Sequence, residues 1–412
     1  MPDVQHKRGS RADLNTLAAA NGLLLGQIYV ITDEDRLAVA TGVGSYQAAE
    51  KEGGGGGGTA LELYAENPSS PTAPSATGAN AVAIGSGSTS SHETTFSVMG
   101  ATASGQYSMA FNKYAVSSGF KSIALGWLTD ATNTSSVAIG TGTQSSGLHS
   151  AALGQAYASG ADSFAAAIST SASSYGATGA NSVAIGNLAK ASGNQSTAIG
   201  DTAQATGLNS ICIGDAVASG RGSIVIDGEG SGTHSGLRGV NIGYSSSGTA
   251  DYSVVFGFSA DDQGVKSRFA FSGSTFNNDG DSQQGMFPLR LATTDATPDA
   301  LTTDGGAAST NNQIILPNNS AYAFHGTIVA RQQASGGTAC AAWKVEGLIR
   351  REGSAGTTVL VNSATTILDN TPAWGMVLSA DTTNGGLKIE VTGAAATNIR
   401  WVATLNTSEV TY

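Results

Sequence analysis

Residues 179–214 read GANSVAIGNLAKASGNQSTAIGDTAQATGLNSICIG, one pattern stated three times at a spacing of fourteen residues. Aligned on their first residue, such units open at Gly78, His92, Gly105, Gly119, Asn133, Gly147, Gly160, Gly179, Gly193, Gly207 and Gly220, with a degenerate unit at Gly236. A fixed short period is the signature of a solenoid, in which no unit buries its own apolar face and each must stack on its neighbours.

Within a unit the fifth and seventh positions are apolar, as in Val82 and Ile84, Ile123 and Leu125, or Ile211 and Ile213. Alternation with period two predicts a short strand, and the two apolar positions are expected to face the core. The sixth position points the other way and is almost always small. Its residues include Ala83, Ala110, Ala124, Ala138, Ala152, Ala184, Ala198 and Cys212. Persistent smallness implies that another backbone approaches there, so these eight residues are the expected interface between chains. Ser at the fourth position and Gly at the eighth predict tight corners. A coil this thin buries little apolar area against a backbone entropy cost of roughly 1–2 kcal/mol per residue, so side-by-side association is expected to supply the missing burial.

The units GANSVAIGNLAKAS and GNQSTAIGDTAQAT resemble the head repeats of YadA-like trimeric autotransporter adhesins, over about residues 76–245. The resemblance implies a left-handed parallel β-roll of 13–14-residue coils, assembled as a homotrimer. The chain departs from the pattern at His92 and Asn133, which replace the opening Gly, and at Asn112 and Asp227, which replace the eighth. Residues 167–178 insert about five extra positions.

Composition sets further limits. The chain has 412 residues, 56 of them Gly, with 12% charged and 6% aromatic, which is too Gly-rich for an ordinary enzyme core. A formal charge of -11 argues against nucleic acid and anionic lipid as partners. The N-terminal basic residues are not followed by an apolar run, and no stretch reaches membrane-helix length, so neither a secretion signal nor membrane insertion is expected. The stalk and anchor of an autotransporter are likewise not expected. Cys212 and Cys340 show no metal-ligand or disulfide-framework spacing and read as buried free thiols.

The ends read differently from the middle. HKRGSRADLNTLAAANGLLLGQIYVITDEDRLAVATG, residues 6–42, predicts a helix capped at Ser10 and a hairpin around an acidic turn. It resembles the small N-terminal modules of bacteriophage tail fibres, which implies that residues 1–48 attach the chain to other virion proteins of tail, baseplate or capsid. Asp33 and Asp35 read as turn chemistry. Residues 49–75 are Gly- and Pro-rich and predict a linker. The roll is placed at 76–257 and a connector, similar to one in tail-fibre proteins, at 258–287. Residues 288–412 predict an antiparallel β-sandwich that buries Trp343, Trp374 and Trp401, with sugar stacking as the rival use of those rings.

The expected fold is therefore all-β, with a small α+β module in front. No metal, cofactor or catalytic residue is expected. The histidines are isolated, and Glu93, Asp130, Asp162, Asp201 and Asp215 are read as scattered acids that form no stacked pair. Exposed aromatics in the middle coils, Tyr107, Tyr114, Phe120, Trp127, Tyr157 and Tyr175, are the receptor-contact candidates, with packing between chains as the other reading. The function expected is a trimeric virion fibre that attaches a bacteriophage to a host surface glycan or protein. A capsid-attached fibre and a polysaccharide-cleaving tailspike are the alternatives.

Overall fold

The computed structural model describes residues 7–25, 27–33, 36–48, 72–168, 174–333, 338–370 and 372–412. The chain divides into two units, Met1–Glu62 and Leu63–Tyr412.

In the first unit Ser10 caps the helix Arg11–Ala19 through a reciprocal pair: Ser10 Oγ accepts from the Asp13 amide, and Asp13 accepts from the Ser10 amide at 2.9 Å. Strands Ile28–Ile31 and Arg36–Gly42 form the expected antiparallel hairpin. Lys7–Gly9 and Ser45–Ala48 complete a four-stranded sheet over Leu14, Leu23, Tyr29 and Ile31. Asp33 accepts a hydrogen bond from the Arg11 amide at 2.8 Å, which ties the turn to the helix start. Asp35 and residues 49–71 of the expected linker lie outside the described residues.

The second unit begins with a β-solenoid of about 13 turns. Each coil contributes a first strand such as Val183–Ile185 and a second such as Lys190–Ala191, each paired in parallel with its counterpart fourteen residues on. Left-handed residues turn both corners, as at Asn181 (φ 54) and Leu188 (φ 53). The fourth-position serines close the first corner from inside, Ser182 Oγ donating to the Gly179 carbonyl at 2.6 Å. Stacking also dictates the glycines: a Cβ on Gly193 would lie 2.0 Å from the Gly207 carbonyl oxygen, and one on Gly186 2.2 Å from that of Gly200.

The strand faces are oriented opposite to the sequence expectation. Ala110, Ala124, Ala138, Ala152, Ala184, Ala198 and Cys212 are fully buried within a single chain, and Ala83 is nearly so. They pack against small residues on and just before the coil's own second strand, such as Ala189, Ala191, Ala203 and Ala205. The second backbone inferred from their smallness is therefore this chain's own, and these eight residues cannot form an interface between chains. Two strands joined by corners this short leave room inside most coils only for small residues, chiefly Ala, Ser, Thr and Cys. The bulky fifth and seventh residues consequently face outward, with Val82 43% and Ile139 38% exposed. The Cys212 thiol is buried as expected and donates to the Ala216 carbonyl; burial pushes its pKa up to about 11. Cys340, by contrast, is exposed at the start of a strand.

Near its end the roll's interior turns polar. His234, Asn241, Asp262 and Arg268 occupy interior positions and are all buried. His234 Nδ1 accepts from the Gly236 amide, which leaves Nε2 facing Ser253 Oγ at 3.2 Å, and Ser253 Oγ donates to Asp262 at 2.6 Å. Burial lowers the His234 pKa, consistent with a neutral ring. The last parallel strand, Phe269–Ser272, then pairs antiparallel with Ser282–Thr293. From there one antiparallel sheet runs through Ile399–Thr411, Ser320–Gln332 and Cys340–Arg351 to Val359–Asp369. A smaller sheet of Asp299–Ala300, Gly386–Thr392, Ile314–Ile315 and Gly375–Asp381 packs on it. All three tryptophans expected in this sandwich are core. Trp343 stacks on Trp401 at 5.8 Å, Trp374 tilts against the same ring, and Trp401 Nε1 donates to Thr293.

Candidate functional site

The solenoid presents side chains to solvent in four rows: an outward row on each strand face and one row at each corner. The row on the second strands is mostly polar, as at Thr102, Asp130, Gln144, Lys190 and Gln204. The row on the first strands is apolar from Val82 to Phe271, with Thr197 as the exception. Some twenty-five side chains about one-third exposed amount to on the order of 1,000 Å² of apolar surface, above the few hundred that a monomer commonly leaves open.

The corners carry the aromatic candidates and separate them into groups. At the first corner Tyr107 and Phe120 meet edge to face at 5.7 Å on successive coils. Lys121 lies over the Phe120 ring at 4.9 Å, and Gln106 donates to Glu93 at 2.7 Å beside them. At the other corner stand Tyr114, Trp127 and Leu128, all exposed, with Lys113 over the Tyr114 ring at 4.9 Å. Tyr107, Tyr114 and Leu128 are held at positive φ, where a bulky side chain costs about 1–2 kcal/mol, so the corner backbone imposes the direction in which each points. Tyr157 and Tyr175 join neither group. Tyr157 sits half-buried on a second strand opposite Gln144, and Tyr175 is half-buried against the alanine interior.

Two aromatic pairs escaped the sequence reading. Tyr244 and Phe258 stack at 5.0 Å with nearly parallel rings, and Phe256 stacks on Phe271 at 5.8 Å. All four are exposed. The signal for the first pair was available, because 244 and 258 are the ninth residues of successive units.

The acids are not all scattered. Asp201 and Asp215 are also ninth residues one period apart, and their strands pair at Ile199↔Ile213, so they stand on one corner of adjacent coils after all. Asn187 donates to Asp201 at 2.8 Å, and Thr202 donates to Asp215. His149 and Asp162 form a similar inter-coil contact at 3.1 Å, half exposed. Among the described residues no group of three or more His, Cys, Asp or Glu is placed to hold a metal ion. No described helix is long and apolar enough to cross a membrane. In the C-terminal sheet, Asn319, Arg350, Arg351 and Tyr412 help line an open hollow of about 260 Å³.

The sequence model of the YadA head domain repeat matches residues 76–96, 117–143, 131–156, 177–203 and 191–215. This part of the roll is accordingly a YadA-like, adhesin-type repeat region. No curated protein matches the chain. Among solved structures, a tailspike protein, gp49 of Acinetobacter baumannii bacteriophage Fri1, described as a capsular polysaccharide depolymerase, aligns at 11% identity with a TM-score of 0.19. That alignment covers 76% of this chain and 67% of the tailspike.

Proposed function

We propose that this chain is the subunit of a homotrimeric bacteriophage fibre that binds a host-surface glycan or protein through the corners of its β-roll. The observation that carries the reading is the pairing of a long, predominantly apolar outward row with aromatic corners on an adhesin-type repeat. The apolar row asks for permanent cover, and three copies packed face to face along one axis give it to each other. The corners then remain in water. Tyr107, Phe120, Tyr114 and Trp127 offer flat faces beside Lys121, Lys113, Glu93 and Gln106, a combination that suits stacking on sugar rings with hydrogen bonds at the rim. Three copies of a weak site on one rigid shaft gain avidity without a deep pocket. The N-terminal module, with its tail-fibre resemblance, is the proposed attachment to tail, baseplate or capsid.

Light scattering of the purified chain tests the assembly, and binding of the trimer to host cells tests the role. Replacing Tyr107 and Phe120 with Ser should weaken cell binding at least about tenfold without changing trimer mass, as should replacing Tyr114 and Trp127. Unchanged binding by both doubles would sink the corner reading. Antibody labelling of intact particles distinguishes tail from capsid. The Asp201–Asp215 pair favours one second reading, cleavage of a surface polysaccharide. It requires chain shortening by the wild type that is lost in Asp201→Asn or Asp215→Asn.

A further inference from the structure

We propose that the strand Val359–Asp369 is an open β-edge which a second copy of this chain completes by strand addition; the inference rests on the self-association proposed above. The strand pairs on one side only, with Cys340–Arg351, from Arg350↔Val359 to Ala342↔Asp369. No described strand pairs with its other side. Its burial is unlike that of any neighbour. Cys340–Arg351 alternates, with Trp343, Val345 and Ile349 in the core, whereas every residue of Val359–Asp369 except the half-buried Leu360 is exposed. Both faces are therefore open, because the smaller sheet covers the core beneath Cys340–Arg351 and extends no further.

The chemistry of the strand is that of a buried one. Val359–Leu368 reads VLVNSATTIL, with no charge, Pro or Gly and with five β-branched residues. Soluble proteins protect free edges with Lys, Pro or inward charges, and none stands in this stretch. The sheet does carry charge one strand inward, at Lys344, Glu346, Arg350 and Arg351. Ile367 and Leu368 are about 60% exposed, so in the single chain bulky apolar side chains stand beside an edge of residues 359–368 that no described strand pairs on its outer side.

A permanent requirement of this size points to cover that always accompanies the chain, which a second copy does at fixed stoichiometry. Continuity supports the same occupant. The sheet ending at this edge begins at Phe269–Ser272, the last rung of the apolar row, so a copy lying along that row also runs beside the sheet. In a ring of three the edge meets a different strand of the next copy and not its own equivalent.

Hydrogen exchange by mass spectrometry on the full-length assembled protein tests this. An edge paired on one side protects about half of the amides in 359–369, and a completed edge protects nearly all of them. The expected result is slowing of the second half by about a hundredfold or more, lost in Val361→Lys/Ile367→Lys. Fast exchange of half of the amides in a protein that light scattering shows to be trimeric overturns this inference and leaves the trimer standing. A monomer with fast edge amides removes both.

Discussion

The reversed strand faces make a prediction that separates folding from assembly at the adjacent residues Ala198 and Ile199 and the latter's paired neighbour Ile213. Ile199 is 38% and Ile213 39% exposed in one chain, so each presents about 70 Å² of apolar surface to water. If copies pack on this row, burying that surface contributes about 1.7 kcal/mol per residue, or about 10 kcal/mol for both sites in a trimer, at about 25 cal/mol/Å². Ile199→Asp/Ile213→Asp should therefore abolish the trimer at micromolar concentration while the isolated coil loses little. Ala198, next to Ile199 on the same strand, points into the coil's interior, fully buried, with Ala184 and Cys212 paired to it on the coils above and below. Ala198→Leu adds three carbons where no space exists. Overpacking of this kind costs typically about 1–3 kcal/mol, and here both neighbouring rungs must shift as well. That variant should melt earlier or unfold whether or not it is assembled. The assays are size by light scattering and thermal unfolding followed by circular dichroism. A folded, fully stable Ala198→Leu together with an Ile199→Asp/Ile213→Asp trimer of wild-type mass and melting temperature would refute the assigned faces.

Gly186→Ala should destabilise the roll by several kcal/mol, since the backbone sits at φ +124 and the new methyl would meet the Gly200 carbonyl at 2.2 Å; urea titration reads the loss. Arg268→Met alone should cost about 3–5 kcal/mol by stranding Glu409 in a fully buried site, whereas Arg268→Met/Glu409→Leu should recover most of it, checked by the same titration. Asp261 has its pKa raised to about 6, chiefly by burial. Its folded value exceeds the usual one, so its contribution is fully present below about pH 4 and is lost as pH rises through about 6, at most about 3 kcal/mol. Asp261→Asn should raise the melting temperature at pH 8 and leave it unchanged at pH 4. Equal effects at both values would contradict the assignment.

Much of this architecture is legible in the sequence because the period is. The spacing located the coils, the fourth-position serines and the corner glycines, and the capping pair Ser10–Asp13 is a local signal of the same kind. Orientation was not legible by the usual rule. Alternation defines two faces of a strand, and assigning the apolar one to the core presumes a core wide enough to receive it. Here the width is set by corners of a few residues, so Ala138 goes in and Ile139 goes out. Side-chain size, and not polarity, marks the interior of a coil this thin. The aromatic groups at the corners were readable one by one, but their partition needed the position within the unit: Tyr107 is a third residue and Trp127 a ninth. The same bookkeeping would have found Tyr244–Phe258 and Asp201–Asp215. The Arg268–Glu409 pair spans 141 positions and joins two kinds of sheet, and no local pattern announces it.

That pair also bears on how the roll of the proposed fibre would carry load. In the roll the hydrogen bonds run along the axis, and each coil holds the next through two short strands, three paired residues on the first and two on the second. The interior adds only small side chains, so a terminal coil of one chain is easily peeled. At the C-terminal end the peeling point is closed by long antiparallel pairing, twelve residues between Ser282–Thr293 and Ile399–Thr411, and by charge sealed inside the joint. Arg268, placed where other coils carry a small serine, reaches Glu409 on the last strand while its guanidinium lies 5.1 Å from the Phe287 ring, and Gln283 and Thr407 donate to the same carboxylate. The ion pair forms in one alignment of roll and sheet and in no shifted one, because any slip leaves a buried charge without its partner. The polar interior at the end of the roll is thus a register lock. It fixes the direction in which the corner aromatics and the C-terminal sheet face relative to one another, a constancy that the proposed multivalent contact requires.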